Sequence, residues 1–214
     1  MTEDEAKAWL DSNFPVSRET WARLQRYADL LLTGMDAQNL ISASTVPHLW
    51  ARHIADSAQL LTYSRDAGDG LWIDLGSGAG LPGVVLACLS DRPIWLIESR
   101  RKRIDFLQHV IDELALPHAR IVGDRVEKVS PCAASVISAR AYAPLPQLWA
   151  SALHLSNDKT TWILPKGRNA QNELETTRPA WQGVFHVKPS VTDTESAIIV
   201  AQGVRPKGKK KGPS

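Results

Sequence analysis

The chain has 214 residues, 43% of them hydrophobic, with 25 Lys and Arg against 23 Asp and Glu for a net charge of +2. That length and apolar share suit one α/β domain with a small appendage and exclude a fibrous or disordered chain. No apolar run nears the ~20 residues a bilayer span needs, and the opening M-T-E-D-E-A-K is acidic where a signal peptide is basic, so neither membrane segment nor leader is expected and a cytoplasmic location is.

In chain order, Glu3 to Leu10 reads as a short helix. Ser17 is a good N-cap for a longer one, in which Trp21, Leu24, Ala28, Leu31 and Met35 recur at helical spacing before Gly34 and Asp36 weaken it. A third helix is expected from Pro47 to about Leu61, burying Leu49, Trp50, Ile54 and Leu60 and carrying His53 and Asp56 on one face at i and i+3. These helices make a cap over residues 1–68. The polar stretch T-Y-S-R-D-A-G-D-G links it to a core spanning 69–204.

From Leu71 onward strands and helices alternate. Strands are expected at 71–76, 94–98, 119–123, 134–139, 160–165, 183–188 and 196–202, and helices near 82–90, 101–115, 144–155 and 169–178. Such alternation implies a largely parallel seven-stranded sheet covered on both faces. Only K-P-S-V-T-D-T-E separates the last two strands, which predicts a terminal hairpin with an antiparallel strand.

The first core strand ends in Asp74 and runs into Gly76, Gly78 and Gly80, with Pro82 placed to begin a helix. Alternating glycines here exceed what an ordinary turn requires and let a backbone approach a ligand closely. Counted from Gly78, the loop satisfies the dinucleotide pattern G-x-G-x-x-G; counted from Asp74, it satisfies D-x-G-x-G-x-G, the S-adenosylmethionine (SAM) pattern. Glu98 closes the second strand, where an acid accepts hydrogen bonds from ribose hydroxyls of either cofactor. A dinucleotide fold needs two mononucleotide halves, and this chain has one glycine loop after about seventy helical residues, so SAM suits its length better; a nucleotide-binding redox or regulatory module is the alternative.

Asp74 is placed to order the loop or to reach a cofactor ammonium. Arg140 closes the fourth strand, where a guanidinium suits a carboxylate or a phosphate, with a surface ion pair as the plain alternative. His53 and Asp56 either line a substrate mouth or only pack the cap. Arg100, Arg101, Lys102 and Arg103 stand at a helix N-terminus, where cations oppose the helix dipole; this hints at phosphate contact, against the default of a solvated face. Lys166 and Arg168 extend the same cationic surface.

Cys88 and Cys132 offer neither a disulfide framework nor a metal site, no H-x-x-x-H pair occurs, and no metal is expected. The last ten residues, from Arg205, hold five cations including Lys207, Lys209, Lys210 and Lys211 and no acid, which leaves −3 for the rest of the chain. A tail of that kind, 205–214, is expected to be disordered when free and able to release counterions from a nucleic-acid backbone.

Together these segments resemble a class I SAM-dependent methyltransferase and, more narrowly, the ribosomal RNA small-subunit methyltransferase G (RsmG, GidB) family. The matching pieces are N-L at Asn39–Leu40, R-H-I-A-D-S at 52–57, D-L-G-S-G-A-G-L-P-G at 74–83, E-S-R-R-K-R-I-D-F-L at 98–107, R-V-E at 125–127, S-A-R-A-Y-A-P-L at 138–145 and L-P-K-G at 164–167. Ile41 departs from the family's N-L-T, and Thr194-Glu195-Ser196 from the basic residue often found before the last strand, so family RNA contacts at those places are not expected here.

The resemblance implies methylation of the N7 atom of one guanine in 16S ribosomal RNA, by a monomer acting on the small subunit or its assembly intermediate. It implies SAM held by Asp74, Gly76, Gly78, Gly80, Leu81, Glu98, Val126, Glu127 and Arg140, with S-adenosylhomocysteine as the product. Substrate-side candidates are Arg140, His53, Asp56 and Lys166, with Tyr142 or a cap Trp stacking the flipped base. No general base is expected, because that nitrogen carries a lone pair and no proton.

Overall fold

The computed structural model describes residues 1–208. Two helices open the cap, α1 (Glu3–Asn13) and α2 (Arg18–Gly34). Thr2 and Glu5 close a reciprocal capping box on α1, and Ser17 caps α2 by accepting from the Thr20 amide at 3.2 Å. Leu24, Ala28 and Leu31 are buried as their spacing requires.

The helix expected from Pro47 to Leu61 is not a regular one. Residues 43–63 wind through a 3₁₀ turn (Ala43–His48), a π segment (Trp50–Ala55), one turn of α-helix α3 (Asp56–Ala58) and another 3₁₀ turn (Gln59–Tyr63). A tertiary contact caps the π segment at its start. The Glu3 carboxylate takes the amides of Trp50 and Ala51, both at 2.9 Å, which a helix begun at Pro47 would give to carbonyls four residues back.

The core sheet has seven strands, β1 (Trp72–Leu75), β2 (Ile94–Ile97), β3 (Ala119–Val122), β4 (Val136–Ser138), β5 (Thr161–Lys166), β6 (Trp181–Pro189) and β7 (Ala197–Pro206), in the order β3-β2-β1-β4-β5-β7-β6. The first five are parallel, and β7 runs antiparallel to both β5 and β6. The expected hairpin is present and longer than its sequence pattern. Pro206 still pairs with Trp181, so Arg205 belongs to β7 and not to a tail. Lys207 donates its amide to Ala180 and its ammonium to the Arg178 carbonyl; Lys209, Lys210 and Lys211 lie outside the described residues.

Helices α4 (Gly83–Leu89), α5 (Arg101–Glu113), α6 (Leu145–Ala152) and α7 (Ala170–Thr177) complete the core. Side chains alternate across the sheet as a two-residue period demands. Trp72, Ile163 and Ile198 meet the cap, α4 and α5, whereas Ile73, Leu75, Trp162, Leu164 and Ile199 meet α6 and α7. Cations in the first turn of α5 oppose the dipole at ~0.3–1 kcal/mol each. Burying Phe106, Leu107, Val110 and Ile111 at ~1.5–3 kcal/mol each outweighs that cost, so burial decides the helix.

Candidate functional site

Two chambers open at the C-terminal edge of the parallel strands, divided by the turn after β4. The first is a cleft of about 330 Å³ lined by Gly76, Glu98, Arg100, Arg125, Val126, Glu127, Ala141 and Tyr142, among others. Such a volume suits a small organic ligand.

Its floor is the loop after β1. Gly76 takes φ +64°, and a Cβ there would lie 2.6 Å from the Tyr142 ring, so glycine is needed for both the turn and the close approach. Gly80 and Leu81 do different work. A Cβ on Gly80 would strike Val84 and Tyr27, and the Leu81 side chain is buried in the core beside the cap, so neither lines the cleft. The Tyr27 hydroxyl, from α2, donates to the Ala79 carbonyl at 2.8 Å and ties loop to cap. No local signal marks Tyr27 for that task beyond its helical spacing.

Asp74 points to the opposite face of β1 from Leu75 and is fully buried beneath the start of α4. It accepts from the Ser138 hydroxyl at 2.8 Å and the Gly83 amide at 3.3 Å, while Ser138 accepts from the Trp72 indole at 2.9 Å. Burial pushes its carboxyl up to about 6, against the pull of those hydrogen bonds and of Arg140. Of its two expected tasks, ordering the loop is the one these contacts perform.

Glu98, 4% exposed, stands at the mouth of the cleft. Its carboxylate accepts from the amides of Gly78 (3.0 Å), Ser99 (2.8 Å) and Arg100 (2.9 Å), and the Arg100 guanidinium reaches it at 3.3 Å. Burial opposes its ionisation, but the hydrogen bonds from Arg100 and Ser99 and the adjacent cation hold the carboxyl below its usual value. Buried Val126 and exposed Glu127, in a short 3₁₀ turn, form the facing wall.

The second chamber, about 280 Å³, is lined by Asp56, Arg140, Ala141, Lys166, Gly167, Ser190 and Ser196, and a neighbouring pocket of about 220 Å³ adds Thr45, Arg52, His53 and Thr192. Arg140 organises it. Its guanidinium donates to His53 Nδ1 at 2.9 Å, to the Arg52 carbonyl at 3.3 Å and to the Asp56 carboxylate at 3.4 Å. A guanidinium can only donate, so Nδ1 is the acceptor and Nε2 carries the hydrogen, which it gives to Thr45 Oγ1 at 2.8 Å. Burial, together with the cations of Arg140 and Arg52, pulls His53 down to about 3, and the ring is neutral. Asp56 also accepts from Gln59 and from Thr192 on the hairpin loop, and Arg52 pairs with Asp193 at 2.6 Å. The network binds cap, β4 and hairpin into one wall.

Ala141 lies in the left-handed region at φ +53° and lines both chambers. This conformation, which costs a non-glycine residue ~1–3 kcal/mol, stands between Arg140 in one chamber and Tyr142 in the other. Tyr142, one of the candidates to stack a substrate base, packs on Gly76, and its hydroxyl is 3.2 Å from Ser151.

The basic candidates separate. Arg101, Lys102 and Arg168 are exposed. Arg103 is turned to the cap, where it donates to the Asn39 carbonyl, and Lys166 is held by Glu173 at 3.0 Å and the Ala143 carbonyl at 3.2 Å. Among the described residues no three His, Cys, Asp or Glu side chains cluster as metal ligands would, and no helix is long and apolar enough to cross a membrane.

Residues 20–197 match the family described as rRNA small subunit methyltransferase G (GidB). The chain is 52% identical to ribosomal RNA small subunit methyltransferase G of Sphingopyxis alaskensis, over 92% of this chain and 85% of that one. Its identity to the protein of the same name from Zymomonas mobilis is 47%, over 99% of each. Among solved structures, the glycopeptide N-methyltransferase MtfA complexed with SAM superposes with a TM-score of 0.55 at 9% identity, covering 69% of this chain and 93% of that one. At that identity the likeness speaks to the fold alone.

Proposed function

The chain belongs to the rRNA small subunit methyltransferase G family, and from that premise we propose that it transfers a methyl group from SAM to the N7 atom of a guanine in 16S ribosomal RNA. The observation that carries the cofactor half is the buried Glu98 carboxylate at the mouth of a cleft floored by Gly76. An acid there is matched to a ribose diol, and the glycine floor to a ligand pressed against backbone.

SAM, when bound, supplies an electrophilic methyl on a sulfonium, and S-adenosylhomocysteine is what remains. The chain's own residues bind and orient. Glu98 accepts the ribose hydroxyls, Val126 and Glu127 flank the adenine, and Asp74 keeps the Gly76–Gly78 loop in place through Gly83. Arg140, Asp56 and Lys166 surround the chamber offered to the target nucleotide. His53, neutral and donating to Thr45, holds Arg140 and is no proton acceptor for the reaction. None is needed, because the attacking nitrogen brings a free lone pair. Aligning nitrogen, carbon and sulfur is a proximity effect that can supply up to ~7–11 kcal/mol.

In this reading residues 1–68 are a cap that helps shape the substrate chamber, 69–204 the methyltransferase core and the basic end an RNA contact. The protein works as a monomer in the cytoplasm on the small subunit or an assembly intermediate of it. Incubation with methyl-labelled SAM and small-subunit particles lacking the modification tests the proposal. One labelled 7-methylguanosine in 16S RNA is expected; label on protein or on a small molecule, or none in RNA, overturns it. Removing residues 209–214 is expected to weaken RNA binding and flatten its salt dependence.

A further inference from the structure

The Glu98 carboxylate is saturated. A carboxylate has about four lone-pair positions, and five contacts converge on this one: Oε1 accepts from the Ser99 amide, the Arg100 amide and Arg100 Nε, and Oε2 accepts from the Gly78 amide and Arg100 Nη2. A ribose diol donating to Glu98 must therefore displace something. The three amides belong to the glycine loop and the entrance to α5 and cannot leave without unfolding them. The guanidinium can. Its two contacts are the longest, both 3.3 Å where a charge-assisted bond is usually ~2.7–2.9 Å, and the Arg100 side chain is 66% exposed against 4% for Glu98.

Where the guanidinium goes is limited by its neighbours. Arg101, paired with Asp105, and Lys102 follow it on exposed positions, Arg125 lines the same cleft between Asp124 and Glu127, and among the described residues Glu98 is the carboxylate paired with Arg100. Released, it stands at the exposed entrance to α5 beside Lys102 and Arg101, where a phosphate would meet more than one cation.

We propose that Arg100 is a latch, closed on Glu98 in the free protein, opened by the cofactor ribose and then presented to a phosphate of the RNA substrate. The inference rests on the ribose-binding reading of Glu98 and adds an order to the reaction. Cofactor binding uncovers a phosphate-binding cation, and by reciprocity RNA that holds Arg100 open raises cofactor affinity by the same factor.

The test uses the full chain, calorimetry with S-adenosylhomocysteine, which has no net charge, and RNA titration with unmethylated small-subunit particles. Removing the exposed competing guanidinium by Arg100→Gln is expected to tighten S-adenosylhomocysteine binding about threefold to fivefold. Raising salt from 50 to 500 mM is expected to tighten wild-type binding, by screening the latch, and to leave Arg100→Gln unmoved. Saturating S-adenosylhomocysteine is expected to tighten RNA binding severalfold in wild type and not in Arg100→Gln, with Arg100→Lys in between. Weaker or unchanged S-adenosylhomocysteine binding in Arg100→Gln overturns the latch, and coupling of equal size in both proteins overturns the hand-over to RNA. Glu98→Ala separates the premise: if it binds S-adenosylhomocysteine as wild type does, the ribose reading has failed and not the latch alone.

Discussion

The two chambers are built by different means. The cleft beneath Glu98 is made of Gly76 and the short sequence runs 97–100, 124–127 and 141–142, each at or just past the end of its own parallel strand. The chamber around Arg140 is made of side chains far apart in the chain, with Arg140 and Asp56 separated by 84 positions and Arg52 and Asp193 by 141. Backbone grips a part of the ligand that never changes. A polar network of long-range partners holds a surface whose shape depends on cap, sheet and hairpin remaining docked.

Because the two are built separately, damage to one chamber is expected to leave the other working. The largest effect is expected from Glu98→Ala, which removes the acceptor of two hydroxyls at ~1.5–3 kcal/mol each and weakens S-adenosylhomocysteine binding about 150-fold or more by calorimetry. Arg140→Met is expected to be the mirror image. It leaves His53 and Asp56 without their half-buried guanidinium donor, and methylation of particles falls about a hundredfold (~2.7 kcal/mol) while S-adenosylhomocysteine affinity changes less than about threefold. Loss of both functions in either variant would break the comparison.

Next in size is Gly76→Ala. The left-handed backbone costs ~1–2 kcal/mol with a Cβ, and that Cβ meets the Tyr142 ring 2.6 Å away. A stability loss of about 2 kcal/mol in urea unfolding is expected, with weaker S-adenosylhomocysteine binding.

Acid sharpens the contrast, because the two chambers respond with opposite sign. Asp74 is raised in the folded state from 3.8 to about 6, so the native protein binds the extra proton and gains stability as pH falls from 6 to 3.8; that contribution is absent above 6. His53 is lowered from 6.5 to about 3, so its contribution is complete above 6.5 and is lost as pH falls toward 3. Urea titrations between pH 7 and 4 are expected to show Asp74→Asn without the gain and His53→Gln without the loss. The smallest effect is expected from Arg52→Ala, whose partly exposed pair with Asp193 is worth below ~1 kcal/mol despite its 2.6 Å contact.

The chain by itself determined the alternation that builds the parallel sheet, the closing hairpin, the glycine turn after β1 and the acid after β2. Each of these rests on interactions between residues close in sequence or on the two-residue and 3.6-residue periods of buried side chains, and such signals survive without a partner. Tertiary structure alone decided the rest. The cap on residues 50 and 51 depends on Glu3 from α1, the loop's tether on Tyr27 some 52 positions away, and the seat of Asp74 on Ser138, 64 positions away. It also decided which cations are free. Arg103 and Lys166 read like Lys102 and Arg168 in the sequence, and only docking of Asn39 and Glu173 against them shows that their hydrogen bonds are already taken. A donor's availability is set by what folding brings within about 3 Å of it, and no local pattern encodes that.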